Sequence, residues 1–207
     1  MGYSNFNQIK SVAKKFKLDV RISSLFPKID LVQPSACLVE TVRRSTVMVM
    51  TNEKTKTERL ISPILIEIAQ AYTDQFSFFS GEALDVNADD DLEDDCDFFF
   101  TGQPPKPYID APIVALIKSR DQDTEWSVAQ CAAQMQGAKL YNETEGKAIP
   151  VIYGCVTDGT EWLFMKLEAN VIHLDNRALT DLASIVGAWH TVLKSFTPTL
   201  AALKLKK

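Results

Sequence analysis

The sequence predicts an α/β domain, and three observations carry that prediction. Apolar residues recur at helical spacing between Thr57 and Tyr72, three runs rich in aromatic and β-branched residues follow, and a long helical segment then separates those runs from a hairpin pattern. Taking the elements in order, "NQIKSVAKKFKL" puts Ile9, Val12, Ala13 and Phe16 on one helical face with its lysines pointing away. Residues 19–34, with Pro27 and Pro34, read as an extended linker, and a helix is expected after Pro34 in "PSACLVETVRRSTVMVM". Leu60, Ile61, Ile64, Leu65, Ile68 and Tyr72 mark an amphipathic helix starting near Thr57 or Ser62. "FSFFSGEALDV", "DCDFFFTG" and "APIVALIKS" are three short strands. "TEWSVAQCAAQMQGAKLYNE" is a second long helix with its stripe through Val128, Cys131, Ala132, Met135 and Leu140, and "IPVIYGCVTDGTEWLFMKLE" is a hairpin turning at Asp158-Gly159. A helix from "NRALTDLASIVGAWHTVLKSF" closes the chain, with a Lys-rich tail after Pro198. The order is helix, three strands, helix, two strands.

With 207 residues, 46% of them hydrophobic, the chain is long enough to bury a proper core, and one main domain is expected: a core over 57–207 with an N-terminal helical extension over 1–56 packed on it. No run of eighteen apolar residues occurs, and the first residues lack a secretory leader pattern, so the expectation is a cytoplasmic protein with no membrane partner. Cys37, Cys96, Cys131 and Cys155 are widely spaced and only His173 and His190 could join them, which points to free thiols rather than a zinc site or disulfide framework. The net charge of -5 is uneven. Residues 1–59 hold eleven basic and five acidic residues, a balance of +6, which leaves -11 for the remainder. A phosphate-facing N-terminal surface and ordinary solvated helix faces both account for this.

The element order, together with "TERLISPILIEI", "FSGEALDV", "DLEDDCDFFF", "APIVALIKSRD", "AQCAAQM" and "IYGCVTDGTEWLFMKLE" in succession, resembles the PD-(D/E)XK nuclease superfamily, in particular an uncharacterised bacterial, notably cyanobacterial, branch. The likeness covers roughly residues 57–170 and implies a restriction-endonuclease-like core: helix, three-strand meander, helix and two further strands, with added N- and C-terminal helices. It further implies Mg²⁺-assisted phosphodiester hydrolysis, in which an Asp from the second strand and a carboxylate from the third hold the hard cation. A Lys two residues after that carboxylate serves the water and phosphate, and a Glu of the first helix supports the metal. Carried over residue by residue, Asp97 matches the second-strand Asp and Glu67 the helix Glu, the two metal ligands if the site is active. Gln130 matches the helix after the third strand, where helix packing and a role facing the site are equally open.

The third strand departs from the pattern. "IVALIKSR" puts Lys118 at the metal carboxylate and Arg120 at the catalytic lysine. An ammonium about 4 Å from Mg²⁺ repels it by roughly 8 kcal/mol at an effective dielectric of about 20. The expectation is therefore a vestigial site in which Lys118 pairs with Asp97 and no cofactor is bound, while the Arg120 fork retains a shape suited to phosphate. Asp110 or Asp121 standing in as ligand would instead give an active Mg²⁺-dependent endonuclease. Two function classes follow: a non-catalytic module that associates with nucleic acid, with another protein or with copies of itself, and a working nuclease with relocated ligands. The stretch from Asp74 to Asp97 carries ten acidic residues and no basic one, and lacks EF-hand spacing, so it reads as a solvated hairpin turn that repels nucleic acid locally. Phe98 to Phe100, Trp126 and Trp162 are expected in the core, and neither histidine belongs to a recognisable hydrolytic triad.

Overall fold

The computed structural model describes residues 2–120 and 124–204. It is an α/β structure built on one seven-stranded mixed sheet in the order β1-β7-β6-β5-β4-β3-β2. Strands β2 (Ser77–Ala83), β3 (Asp95–Thr101) and β4 (Ile113–Ser119) form an antiparallel meander. Helix α5 (Thr124–Thr144) then crosses over so that β5 (Val151–Thr157) lies parallel to β4. Strands β6 (Trp162–Glu168) and β7 (Val171–Asp175) continue antiparallel from β5.

Alternation along the strands sends Phe98, Phe100, Ala115, Cys155 and Phe164 to one face, where α4 (Ser62–Gln70) and α6 (Leu182–Ser195) supply Ile64, Leu65, Ile68, Val186 and Trp189. Phe99, Leu116, Val156, Met165 and Ile172 point to the other face and meet Val128, Cys131, Ala132 and Met135 of α5. The outer side of α5 is covered in turn: Val12 of α1 (Ile9–Phe16) and Tyr3 pack in the same cluster, and Tyr3 Oη donates to Leu84 O at 2.9 Å. A helix covered on both sides is buried nearly all round, which explains why α5 holds the buried polar residues Ser127, Gln130, Gln134, Gln136 and Asn142. Asn142 bridges to the sheet, accepting from Ile113 N at 2.7 Å and donating to Ile113 O at 2.8 Å.

Several elements differ from the sequence expectation. Residues 19–34 are not only linker: Asp19–Ser23 is strand β1, paired in parallel with β7 across some 150 residues of sequence. β7 itself follows a turn in which Ala169 (φ 46°) and Asn170 (φ 64°) both adopt positive φ, a two-residue turn matched to strand twist but unmarked by glycine. The Asp158-Gly159 turn is a four-residue loop in which the Asp158 carboxylate accepts from Thr160 N and Glu161 N, with φ +89° at Gly159. Pro198 does not end the chain's helical part but sits in the first turn of α7 (Thr197–Lys204), where its missing N–H costs nothing. The long helix before the meander starts at Glu53, capped by Asn52 and Thr55, and runs through α3 (Glu53–Lys56) and a π-turn (Thr57–Ile61) into α4. The expected division at residue 56 therefore falls inside a continuous helix. Trp162 and Phe98 to Phe100 are core residues, whereas Trp126 is 40% exposed. No helix among the described residues is long and apolar enough to cross a membrane.

Asp181 caps α6 by accepting from Ser184 N at 2.8 Å, and hydrogen bonds from Ser184, side chain and then backbone, hold its carboxyl below the usual range. Asp181→Ala is expected to cost about 1 kcal/mol at neutral pH. Because the folded-state pKa is the lower one, that stability is present above the ordinary carboxylate value and is lost as pH falls through the folded value. Urea titrations of both proteins at neutral and strongly acidic pH should show the difference shrink.

Candidate functional site

The meander concentrates charge at one end of the sheet. Phe98 pairs with Ile117 in the β3–β4 ladder, so the next step sets Asp97 beside Lys118. Lys118 Nζ donates to Asp97 Oδ1 at 3.1 Å and to Oδ2 at 2.8 Å. Oδ2 also accepts from Ser119 N at 2.7 Å and from Ser119 Oγ at 2.6 Å. The pair is largely withdrawn from water, with side-chain exposures of 16% for Lys118 and 22% for Asp97. Four N–H or O–H contacts on one carboxylate leave it well satisfied.

A second carboxylate reaches this cluster from the helix. Glu53 Oε1 is hydrogen-bonded to Ser119 Oγ and lies 4.0 Å from Lys118 Nζ. Ser119 carries one hydroxyl proton, so it donates to one carboxylate at a time. With two carboxylates and one ammonium, the cluster has a formal charge of -1. Opposite Asp97, between the Ser80–Phe98 and Glu82–Cys96 pairs of the β2–β3 ladder, stands Gly81, which adopts φ +67° with open space where a Cβ would be. Gly81 borders a cleft of about 410 Å³ lined by Glu53, Lys54, Thr57, Ser80, Gly81, Asp97, Phe98 and Ser119.

Among the described residues proposed from sequence for the site, only Asp97 and Lys118 meet. Glu67 sits elsewhere: it accepts from Ser35 N at 2.9 Å and from Ser35 Oγ, and so holds the residue whose hydroxyl caps α2 (Ala36–Thr46) at Leu38 N. The physical reason is length. Fourteen residues of nearly continuous helix separate Glu67 from Glu53, on the order of 20 Å, so the acid that reaches the sheet is the one in the first turn. Arg120 turns away from Asp97. Its Nη1 donates to Thr124 Oγ1 at 2.8 Å, and its Nη2 lies 2.7 Å from Glu161 Oε2 and 3.6 Å from Asp158 Oδ2. Burial alone would push the Asp158 carboxyl up, but the N–H and O–H donors of Glu161 and Thr160, then Arg120, hold it below the usual range. The guanidinium expected to suit a phosphate is thus engaged by two acids, tying β4 to the β5–β6 loop.

Gln130 is buried within α5, and among the described residues no hydrogen bond joins it to the Asp97 cluster. Asp110 is paired with Lys106 at 2.6 Å and with Lys147; burial favours its neutral form, and the two ammoniums outweigh it and hold the carboxyl low. Asp121 lies outside the described residues. The acidic stretch is less free than a solvated turn: Asp91 accepts from Lys15 Nζ at 3.0 Å and Asn5 Nδ2 at 2.9 Å, docking the N-terminal segment onto it. His173 Nδ1 lies 3.3 Å from Ser23 Oγ and His190 Nδ1 lies 2.6 Å from Tyr72 Oη. Cys96, Cys131 and Cys155 are buried, and burial pushes their thiols up; Cys37 is exposed.

Sequence reasoning missed Glu53 and the side chain of Ser119. The Asn-x-x-Thr pattern at Asn52 and Thr55 is the signal that would have placed the helix start, and with it Glu53, at this end of the sheet. The residues present do not fit a Mg²⁺ ion: both oxygens of Asp97 face an ammonium, and among the described residues no group of three or more His, Cys, Asp or Glu is arranged to hold a metal. No protein-family model matches the chain, and no curated protein matches it.

Proposed function

We propose that the chain is a nuclease-derived module with a restriction-endonuclease-like core, in which an ion pair occupies the former metal position and the protein acts by association, with nucleic acid as the favoured partner. The observation that carries this reading is the two-pronged contact of Lys118 Nζ with Asp97, at 2.8 and 3.1 Å. Its support from the fold is the run of α4, a three-strand meander, the crossover helix α5 and a strand parallel to β4. An ammonium at that point neutralises Asp97 and repels a divalent cation, so it removes the means of activating water. An active enzyme with Asp110 as the relocated ligand is disfavoured because two lysines already engage that carboxylate.

The test is calorimetric titration with Mg²⁺ and Mn²⁺ together with plasmid nicking, on the natural chain and on Lys118→Glu. The expected result is no saturable metal binding and no nicking by the natural chain, with Mn²⁺ binding gained by the variant, which places carboxylates at 53, 97 and 118 together. Metal binding and cleavage by the natural chain would overturn the proposal.

A further inference from the structure

Helix α1 carries three lysines, Lys10, Lys14 and Lys15, and Lys17 follows as its C-cap; of these four only Lys15 is turned toward acid. Lys15 faces the acidic hairpin, with Nζ 3.0 Å from Asp91 Oδ2 and donating to Asp90 O at 2.6 Å. At about 100° per residue, Lys10 and Lys14 lie about 40° apart and about 100–140° from Lys15, and Lys17 adds a further ammonium just past the helix end, where it caps α1 at φ 54°. Lys10, Lys14 and Lys17 are exposed, and among the described residues none forms an ion pair or hydrogen bond through its side chain. They spread over roughly 10 Å of helix at 1.5 Å per residue. Residues 1–24 hold five basic residues and one acidic, a balance of +4 in a chain whose total is -5, so the rest carries -9.

The other face of α1 is already occupied. Val12 is fully buried and Ile9 and Phe16 pack against the cluster beneath it, with Phe16 and Phe6 rings 5.9 Å apart. A helix whose apolar side is committed to the core cannot insert that side into a bilayer, which is how basic amphipathic helices hold membranes. What remains available is a row of ammonium groups, complementary to a polyanion that binds through charge alone.

From this we infer that the Lys10–Lys14–Lys17 stripe is the surface that contacts a nucleic-acid backbone; the inference rests on the nucleic-acid reading above and gives it a place. The acidic cleft at Asp97 is not the contact surface, and the hairpin around Asp90 and Asp91 bounds the footprint on one side. Three phosphate contacts predict a slope of log K against log salt of about -2.7, so binding should weaken about 40-fold between 50 and 200 mM salt.

Fluorescence anisotropy with a short labelled DNA duplex, and with a single strand, tests this on the full chain, on Lys10→Gln/Lys14→Gln/Lys17→Gln and on the equally charged control Lys28→Gln/Lys194→Gln/Lys204→Gln, whose residues lie outside the Asp97 cleft. The substituted side chains are exposed and Gln is nearly as good a helix former as Lys, so the variants should fold. The expected result is salt-dependent binding by the natural chain and the control, with loss of at least about tenfold in affinity and of most of the slope in the α1 variant. Equal binding by the α1 variant would overturn the placement while leaving the nucleic-acid reading intact. Absence of binding by the natural chain at 50 mM salt would sink both. Stripe-dependent binding to phosphatidylserine vesicles without binding to DNA would assign the surface to anionic lipid instead.

Discussion

Lys118→Ala should destabilise the protein by about 2–3 kcal/mol, less than the 3–5 kcal/mol typical of breaking a fully buried pair because some solvent reaches both groups. The loss arises at Asp97, whose Ser119 donors remain but whose counter-charge is gone, beside Glu53. Two carboxylates would then share one hydroxyl. Asp97→Asn should lower the cost of removing Lys118, since a neutral amide needs no counter-ion, and a double-mutant cycle should return a coupling of roughly 1–3 kcal/mol. Urea unfolding of the two single variants and the double variant measures it. A loss below about 0.5 kcal/mol in Lys118→Ala would mean that the pair behaves as a screened surface contact, and an occupied-site account of the cluster would then have no energetic basis.

Trp189→Ala should cost about 3–5 kcal/mol, the largest single effect in the α6 layer. Trp189 is fully buried, its ring 5.2 Å from that of Phe164 and 5.8 Å from that of Phe100, and set edge-on to Trp162 at 6.4 Å. It therefore joins α6 to β3 and β6 at once, and truncation leaves a cavity bounded by aromatic side chains of both strands. Its Nε1 is buried, with no hydrogen-bond partner among the described residues. Trp189→Phe removes that orphan donor along with some volume, so the two terms oppose each other and the net loss should stay near or below about 1 kcal/mol. Denaturant midpoints for the two variants separate packing from polarity. A Phe variant as damaged as the Ala variant would show that the indole's full volume, rather than any aromatic ring, fills the site.

The elements with a strong local repeat are legible in the sequence. The 3.6-residue stripe through Leu60, Ile64 and Ile68, the aromatic strand at Phe98 to Phe100 and the crossover helix stand where periodicity put them. The strands that escaped notice are those whose partners are distant or whose turns lack glycine. β1 is five residues long and pairs with β7, and β7 follows an Ala-Asn turn at positive φ. The start of the long helix escaped because "TNEKTK" has no apolar repeat, although its capping residues were in view.

The pairing of Lys118 with Asp97 could be anticipated because neighbouring antiparallel strands and a two-residue side-chain period leave few ways to place those charges. The sequence by itself thus determined an α/β chain, the residues of its central meander, and the presence of a base, Lys118, near the end of β4. Only the tertiary structure decided which other groups that base would meet. Glu53 rather than Glu67 arrives because a rigid helix rises 1.5 Å per residue, so its starting point selects the carboxylate that reaches the sheet. Arg120 is drawn to Asp158 and Glu161 because the β5–β6 loop brings two acids within its reach. Both outcomes depend on where separate elements end in space, and no local pattern in the chain encodes that.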